Sequence, residues 1–129
     1  MMKSLFTFIF ILLLSLTTGC QNQDVSCEKY KTGTFKYKDS DYEGHTIIRN
    51  DSIQIEYNSK DDIKIISKIE WISNCEFILT YKDILNYPNK EDVIGEKINV
   101  KIVKTKESSY ICEVKSNSLD STIEIIKIK

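Results

Sequence analysis

The amino-acid sequence predicts an all-β protein in which eight antiparallel strands follow one another as an up-and-down meander. Beyond residue 27, apolar β-branched and aromatic residues alternate with polar ones, which is the pattern of half-buried strands. Short polar turns separate these runs. In none of the runs do the apolar residues recur at the three- to four-residue spacing of a helix. An open sheet of this size exposes two edges that recruit other chains. We therefore expect closure into a small lipocalin-like barrel, with a strongly curved, half-open sheet as the alternative.

The clearest pair of strands is a hairpin in the middle of the chain. Residues 63–72 and 75–82 both alternate, and Ser73-Asn74 between them is typical turn sequence. The hairpin also contains Trp71, the only tryptophan. The other predicted strands are residues 34–38, 45–49, 52–57, 97–105, 110–115 and 122–129.

Two stretches depart from this simple pattern. Residues 83–96 form the longest irregular segment, in which we expect at most one helical turn. In the last strand the apolar positions shift from Ile123 and Ile125 to Ile126 and Ile128, which indicates a bulge or burial on both faces.

The N-terminus predicts a targeting segment. Lys3 is followed by a mainly apolar run at residues 5–16, which is too short for a transmembrane helix of about 20 residues. The run leads to Gly19-Cys20, which resembles the lipobox of bacterial lipoproteins, although its usual leucine is one position early, at Leu16. The resemblance implies a signal-peptide helix within residues 1–19, lipidation of Cys20, a tether at 20–26 and one barrel domain at 27–129.

Lipidation of Cys20 would make this a membrane-anchored protein of the bacterial cell envelope. Each buried methylene contributes about 0.8 kcal/mol, so two or more acyl chains anchor a protein stably. The residue after Cys20 is Gln21, not the aspartate that retains some lipoproteins at an inner membrane, which favours the outer membrane.

The charge of the chain argues against nucleic acid as a partner. The formal net charge is −1, and the lysines are spread along the predicted strands. Phosphate binding needs a clustered basic surface. Alternating lysines are typical of the solvated face of an antiparallel sheet.

Three cysteines remain once Cys20 is set aside, and an oxidising envelope predicts one disulfide among them. Successive turns of a meander alternate between the two ends of a barrel. Cys27 therefore enters at the end where Cys75 follows the fourth strand. This favours Cys27–Cys75 over the two pairings that involve Cys112, whose position within a strand suits a buried thiol.

Three blocks of the sequence resemble a family of small uncharacterised lipoproteins from Bacteroidetes-type bacteria. They are residues 27–35 (CEKYKTGTF), 49–56 (RNDSIQIE) and 71–79 (WISNCEFIL). The resemblance implies that Cys27 and Cys75 are part of the family's pattern while Cys112 is optional, and it implies no activity. Some members are labelled DNA topoisomerases, but this chain has no tyrosine nucleophile in a basic, metal-binding setting.

Gly33-Thr34-Phe35 is also similar to the Gly-x-Trp of the first lipocalin strand.

The sequence favours a non-catalytic protein without cofactor or metal. A nucleophile needs a base within hydrogen-bond reach, and His45 is the single histidine, at the start of a strand. The acidic pairs Asp61-Asp62 and Glu91-Asp92 lie in predicted loops, where solvated turn residues are the rule. We expect one row of aromatic side chains to point inward, as core or as the lining of a pocket. The row consists of Tyr37, Tyr57, Trp71, Phe77 and Tyr81.

Two functions remain open at this point. The first is an envelope lipoprotein that binds a protein partner. The second is a lipocalin-like carrier of a small apolar ligand. An internal cavity of roughly 300 Å³ or more would favour the carrier.

Overall fold

The computed structural model describes residues 26–129, and their eight strands form one closed barrel. The strands are β1 (Gly33–Tyr37), β2 (His45–Arg49), β3 (Ile53–Asn58), β4 (Ile63–Ser73), β5 (Glu76–Leu85), β6 (Lys97–Thr105), β7 (Ser109–Lys115) and β8 (Asp120–Lys127). Each strand pairs antiparallel with the next, and β8 pairs with β1. The predicted barrel is confirmed, and the half-open alternative is wrong.

Short 3₁₀ turns at Glu28–Tyr30, Ser40–Tyr42 and Lys90–Asp92 complete the described secondary structure. Within residues 26–129 no helix has the length and apolar character needed to cross a membrane. The predicted signal-peptide helix, the lipidation site Cys20 and all of the tether but Ser26 lie outside the described residues.

The two ends of the barrel differ because the turns alternate between them. One end, which we call the mouth, carries the connections 38–44, 59–62, 86–96 and 116–119. The other, which we call the closed end, carries the shorter connections 50–52, 74–75 and 106–108. The N-terminal 3₁₀ turn Glu28–Tyr30 lies at the closed end, where the Tyr30 hydroxyl donates to the backbone oxygens of Lys106 and Ser109.

The disulfide predicted from the turns is confirmed. Cys27 and Cys75 are bonded, with their Cα atoms 5.3 Å apart, and the bond ties the N-terminal turn to the β4–β5 hairpin. Tyr30 follows with none of its surface exposed. The N-terminal segment therefore plugs the closed end of the barrel.

The central hairpin contains an irregularity that the alternation does not reveal. In the β4–β5 pairing Ile66 faces Asp83 but Ser67 faces Tyr81, so Lys82 is an extra residue in β5. The bulge changes the phase of β5 and turns Ile84 inward, where it is buried. The bulge expected in the last strand is absent, since β7 and β8 pair without a shift in register.

Strand β3 faces the opposite way from the prediction. Arg49 pairs with Gln54 and Ile47 with Glu56, and directly paired residues of an antiparallel ladder point to the same side. Because Ile47 and Arg49 are buried inside the barrel, Gln54 and Glu56 point inward as well. The apolar residues of β3 therefore lie on the outer surface. They are Ile53, Ile55 and Tyr57.

Gly33 opens β1 where that strand meets the C-terminal end of the chain. Its φ is +135°, a conformation that favours glycine. A Cβ at this position would lie 2.6 Å from the backbone oxygen of Lys129. The glycine therefore permits the close approach of β1 to the C-terminal residues that follow β8, which closes the barrel.

Candidate functional site

The barrel interior is not filled by side chains. A cavity of about 160 Å³ lies within it, lined by the inward faces of the strands and by Tyr42 and Leu119 from the mouth connections. The apolar part of the lining includes Ile47, Leu79, Ile98, Val100, Val114, Ile123 and Ile125. Polar side chains from β2, β3 and β4 also line it, namely Arg49, Gln54, Glu56 and Ser67.

A second cavity of about 250 Å³ lies at the mouth. Glu56 and Tyr81 line both cavities, so the two spaces are neighbours around these side chains. The other lining residues are His45, Asn58, Ile63, Ile65, Ile84, Tyr87 and Val93. We refer to the two cavities together as the hollow. Neither cavity alone reaches roughly 300 Å³, so size by itself does not favour a carrier, and the argument for a ligand depends on the chemistry of the lining.

The predicted aromatic row is only partly inside. Tyr37, Phe77 and Tyr81 line the hollow. Tyr57 does not, because β3 has the opposite orientation, and its hydroxyl donates to Asp62 at 2.8 Å on the outer surface. Trp71 points inward as part of the core: it pairs directly with Phe77 across β4 and β5, and the two rings pack near the closed end with centroids 4.6 Å apart. The prediction of an inward side chain is therefore wrong for Tyr57 alone.

Arg49 is the only arginine of the chain and is only 4 % exposed. Its guanidinium donates to Gln54 Oε1, to the backbone oxygen of Tyr30 and to the Tyr110 hydroxyl, at 2.8, 2.8 and 2.9 Å. The Phe35 and Phe77 rings lie 4.6 and 4.7 Å from its central carbon. Among residues 26–129 Arg49 has no carboxylate partner, so hydrogen bonds and ring contacts offset the cost of burying this charge.

Glu56 is the acidic counterpart nearer the mouth. The Tyr37 hydroxyl donates to its Oε1 at 2.9 Å, and His45 Nδ1 lies 3.1 Å from the same oxygen. Burial, and then the Glu56 charge, raise the pKa of the Tyr37 hydroxyl well above its usual value. Tyr42 stacks on Tyr37 with ring centroids 4.7 Å apart. A carboxylate with surrounding aromatic rings thus faces the hollow.

Cys112 is a buried free thiol beside this site. Burial raises its pKa to about 12, with Arg49 acting in the opposite direction. A thiol of this kind is protonated and unreactive at neutral pH.

His45 faces Glu56, and no serine, threonine or cysteine is hydrogen-bonded to its ring within residues 26–129. In the same part of the chain no three metal-ligating side chains come together.

The polar residues of the site were missed by reasoning from the sequence. Alternation predicts that Ile53, Ile55 and Tyr57 form the inward face of β3, which puts Gln54 and Glu56 outside. It predicts no role for Arg49. A signal was present in β2, where a lone arginine follows two adjacent isoleucines.

Comparison of the chain with known protein families, with curated proteins and with solved structures finds no match. The resemblance to small envelope lipoproteins therefore stays a prediction.

Proposed function

We propose that this chain is a non-catalytic, lipid-anchored envelope protein whose barrel binds a small amphipathic molecule in the hollow. One observation carries the proposal: an apolar interior that is not filled has polar side chains directed into it. Burying polar groups costs free energy, and a sheet that only needed a core would turn the apolar face of β3 inward. A concave apolar site with a few polar groups is the usual form of a small-molecule site.

The position of the N-terminus supports the same proposal. The chain enters the barrel at the closed end, through Cys27 and Tyr30. A lipid on Cys20 would hold that end towards the membrane. The mouth is at the opposite end, where a ligand could reach the hollow without displacing the plug.

Calorimetry with octan-1-ol tests the proposal. The full chain is placed in phosphatidylcholine nanodiscs, and the heat from empty nanodiscs is subtracted. Val114 lines the hollow, so Val114→Phe narrows it and should weaken binding about tenfold or more, whereas Val103→Phe on the outer surface should not. Absence of binding to the unmodified protein, or equal binding by the Val114→Phe variant, would contradict the proposal.

A protein partner is the second candidate, and the outer surface favours it. Ile48, Ile55 and Ile66 are directly paired across β2, β3 and β4, and Ile48 is 53 % exposed. Ile55 and Ile66 are half-buried, and a partly exposed apolar row of this kind is found at interaction surfaces. Crosslinking in the native membrane from a residue beside Ile48 should recover a partner, and Ile48→Lys should abolish the crosslink. Recovery of no specific partner would remove this candidate.

The anchor is tested separately. Cys20→Ser should release the protein from the membrane fraction and abolish labelling by radioactive fatty acid, because no other acylated residue is proposed. A variant that stays membrane-bound and labelled would contradict the lipoprotein assignment.

A further inference from the structure

Only one of the two Glu56 carboxylate oxygens is hydrogen-bonded to the described residues. Tyr37 and His45 both contact Oε1, at 2.9 and 3.1 Å. Oε2 accepts no hydrogen bond from residues 26–129, and Glu56 forms no ion pair with a lysine or arginine in that range. Its side chain is 20 % exposed and lines both cavities. An acceptor with a negative charge is therefore available to a molecule in the hollow.

Tyr81 supplies a second acceptor beside it. Its side chain also lines both cavities, and its hydroxyl forms no hydrogen bond within the described part of the chain. Burial, and then the charges of Glu56 and Glu96, raise the pKa of this hydroxyl to about 12, which places it in the field of the Glu56 carboxylate. At neutral pH the Tyr81 hydroxyl is uncharged and can accept a hydrogen bond from a donor that also reaches Glu56.

Aromatic rings near the carboxylate favour the same sign of charge. The Tyr37 and Tyr42 rings are stacked, and both line the first cavity. Tyr87 lines the second cavity together with Glu56. The faces of aromatic rings attract cations.

The charge of the mouth connections is an independent observation. Residues 38–44, 59–62, 86–96 and 116–119 together contain eight carboxylates and three lysines. At the closed end, residues 26–32, 50–52, 74–75, 106–108 and 128–129 contain three carboxylates and four lysines. A rim of negative charge around a concave site raises the local concentration of cations.

From these observations we infer that the ligand of the hollow is an organic cation, a protonated amine with an apolar tail. Its ammonium group binds between Glu56 Oε2 and the Tyr81 hydroxyl, and its tail lies against the isoleucines and valines of the first cavity. This inference rests on the proposed function, because it names the chemical class of the molecule bound there.

Arg49 is the competing anchor, which would select a carboxylate instead. Its guanidinium is already held by three acceptors and lies close to the Phe35 and Phe77 rings. With 4 % of its surface exposed, it offers little room for an anion. We therefore infer that Arg49 stabilises the closed end of the barrel and that Glu56 binds the ligand.

Three probes with the same tail distinguish the alternatives. The full chain in phosphatidylcholine nanodiscs is titrated with octylamine at pH 7, with octanoate and with octan-1-ol, and empty nanodiscs serve as the blank. Octylamine should bind at least about tenfold more tightly than either of the others, since a hydrogen bond between charged groups is stronger than one between neutral groups. Glu56→Gln should lower the affinity for octylamine to that for octan-1-ol.

Matched variants separate the role of Glu56 from a general effect of charge. Glu113→Gln also removes one carboxylate, but on the outer face of β7, between the buried Cys112 and Val114. It should leave the preference for octylamine over octan-1-ol unchanged. Tyr81→Phe should weaken octylamine binding and leave octan-1-ol unaffected. If Glu56→Gln does not fold, the comparison of the three probes on the unmodified protein decides by itself.

Each outcome has a definite meaning. Tighter binding of octanoate would assign the head group to Arg49 and overturn the inference while leaving the proposed function in place. Equal affinity for the three probes would also overturn it. If no probe binds, both the inference and the proposed function are wrong.

Discussion

The two ends of this barrel use their polar side chains differently. At the closed end, Arg49 and Tyr30 donate to protein acceptors, and the disulfide fixes the plug in place. At the mouth, Glu56 and Tyr81 each keep an oxygen that accepts no hydrogen bond from the described residues. Under the proposed function, the closed end stabilises the barrel and the mouth binds the ligand. Substitutions at the two ends should therefore have different consequences.

Removing the disulfide should have the largest effect. The bond joins residues 48 positions apart, and loss of its restraint on the unfolded chain costs about 4 kcal/mol at most. Urea unfolding of Cys27→Ser/Cys75→Ser should give a free energy of unfolding lower by about 2–4 kcal/mol. The unmodified protein under reducing conditions should match this variant. A loss below about 1 kcal/mol would show that the plug is held mainly by other contacts.

Arg49→Met should rank second. It leaves the Tyr30 backbone oxygen, Gln54 and Tyr110 without their buried donor, which should lower the free energy of unfolding by about 3 kcal/mol. Lys104→Met, an exposed lysine on β6, is the control and should change it by less than about 0.5 kcal/mol. If both substitutions lowered the free energy of unfolding equally, Arg49 would not stabilise the closed end.

Cys112 should make the stability of the barrel depend on alkaline pH. Burial raises the pKa of its thiol to about 12 in the folded protein, against about 8.5–9 when unfolded. The folded state therefore holds the proton more tightly, and its contribution is complete below pH 8.5 and is lost as the pH rises towards 12. Between pH 7 and 10.5 the unmodified protein should lose about 2 kcal/mol more than Cys112→Ala.

Urea unfolding of both proteins at the two pH values measures this difference. If the unmodified protein and Cys112→Ala lost the same free energy of unfolding, the Cys112 thiol would ionise in the folded protein as it does in water. The same thiol should resist iodoacetamide at pH 8 until urea is added, since alkylation requires the thiolate.

Glu56→Gln should have the smallest effect on stability. The amide oxygen of glutamine can still accept the hydrogen bond from Tyr37, so the free energy of unfolding should change by less than about 1 kcal/mol. Urea unfolding at pH 7 measures it, with Glu113→Gln as the control. A loss as large as that of Arg49→Met would mean that the mouth is built like the closed end, and the contrast between the two ends would fail.

Most of the fold follows from local patterns, but the site does not. Alternation and polar turns were enough to place the ends of every strand to within two residues, except that β5 runs three residues further, to Leu85. The alternation of turns between the two ends was enough to favour Cys27–Cys75. The bulge at Lys82 could not be anticipated, because it depends on how β4 and β5 pair over their full length.

The sequence by itself determined that this chain is a meander of eight strands in which Cys27 enters at the end that carries the β4–β5 turn. Only the tertiary structure decided which face of β3 points inward. Adjacent Ile47 and Ile48 give β2 no preferred side, so its orientation is set when Arg49 packs between aromatic rings from β1 and β5. The pairing of β2 with β3 then carries Gln54 and Glu56 inside and leaves Ile55 outside, because paired residues share a side.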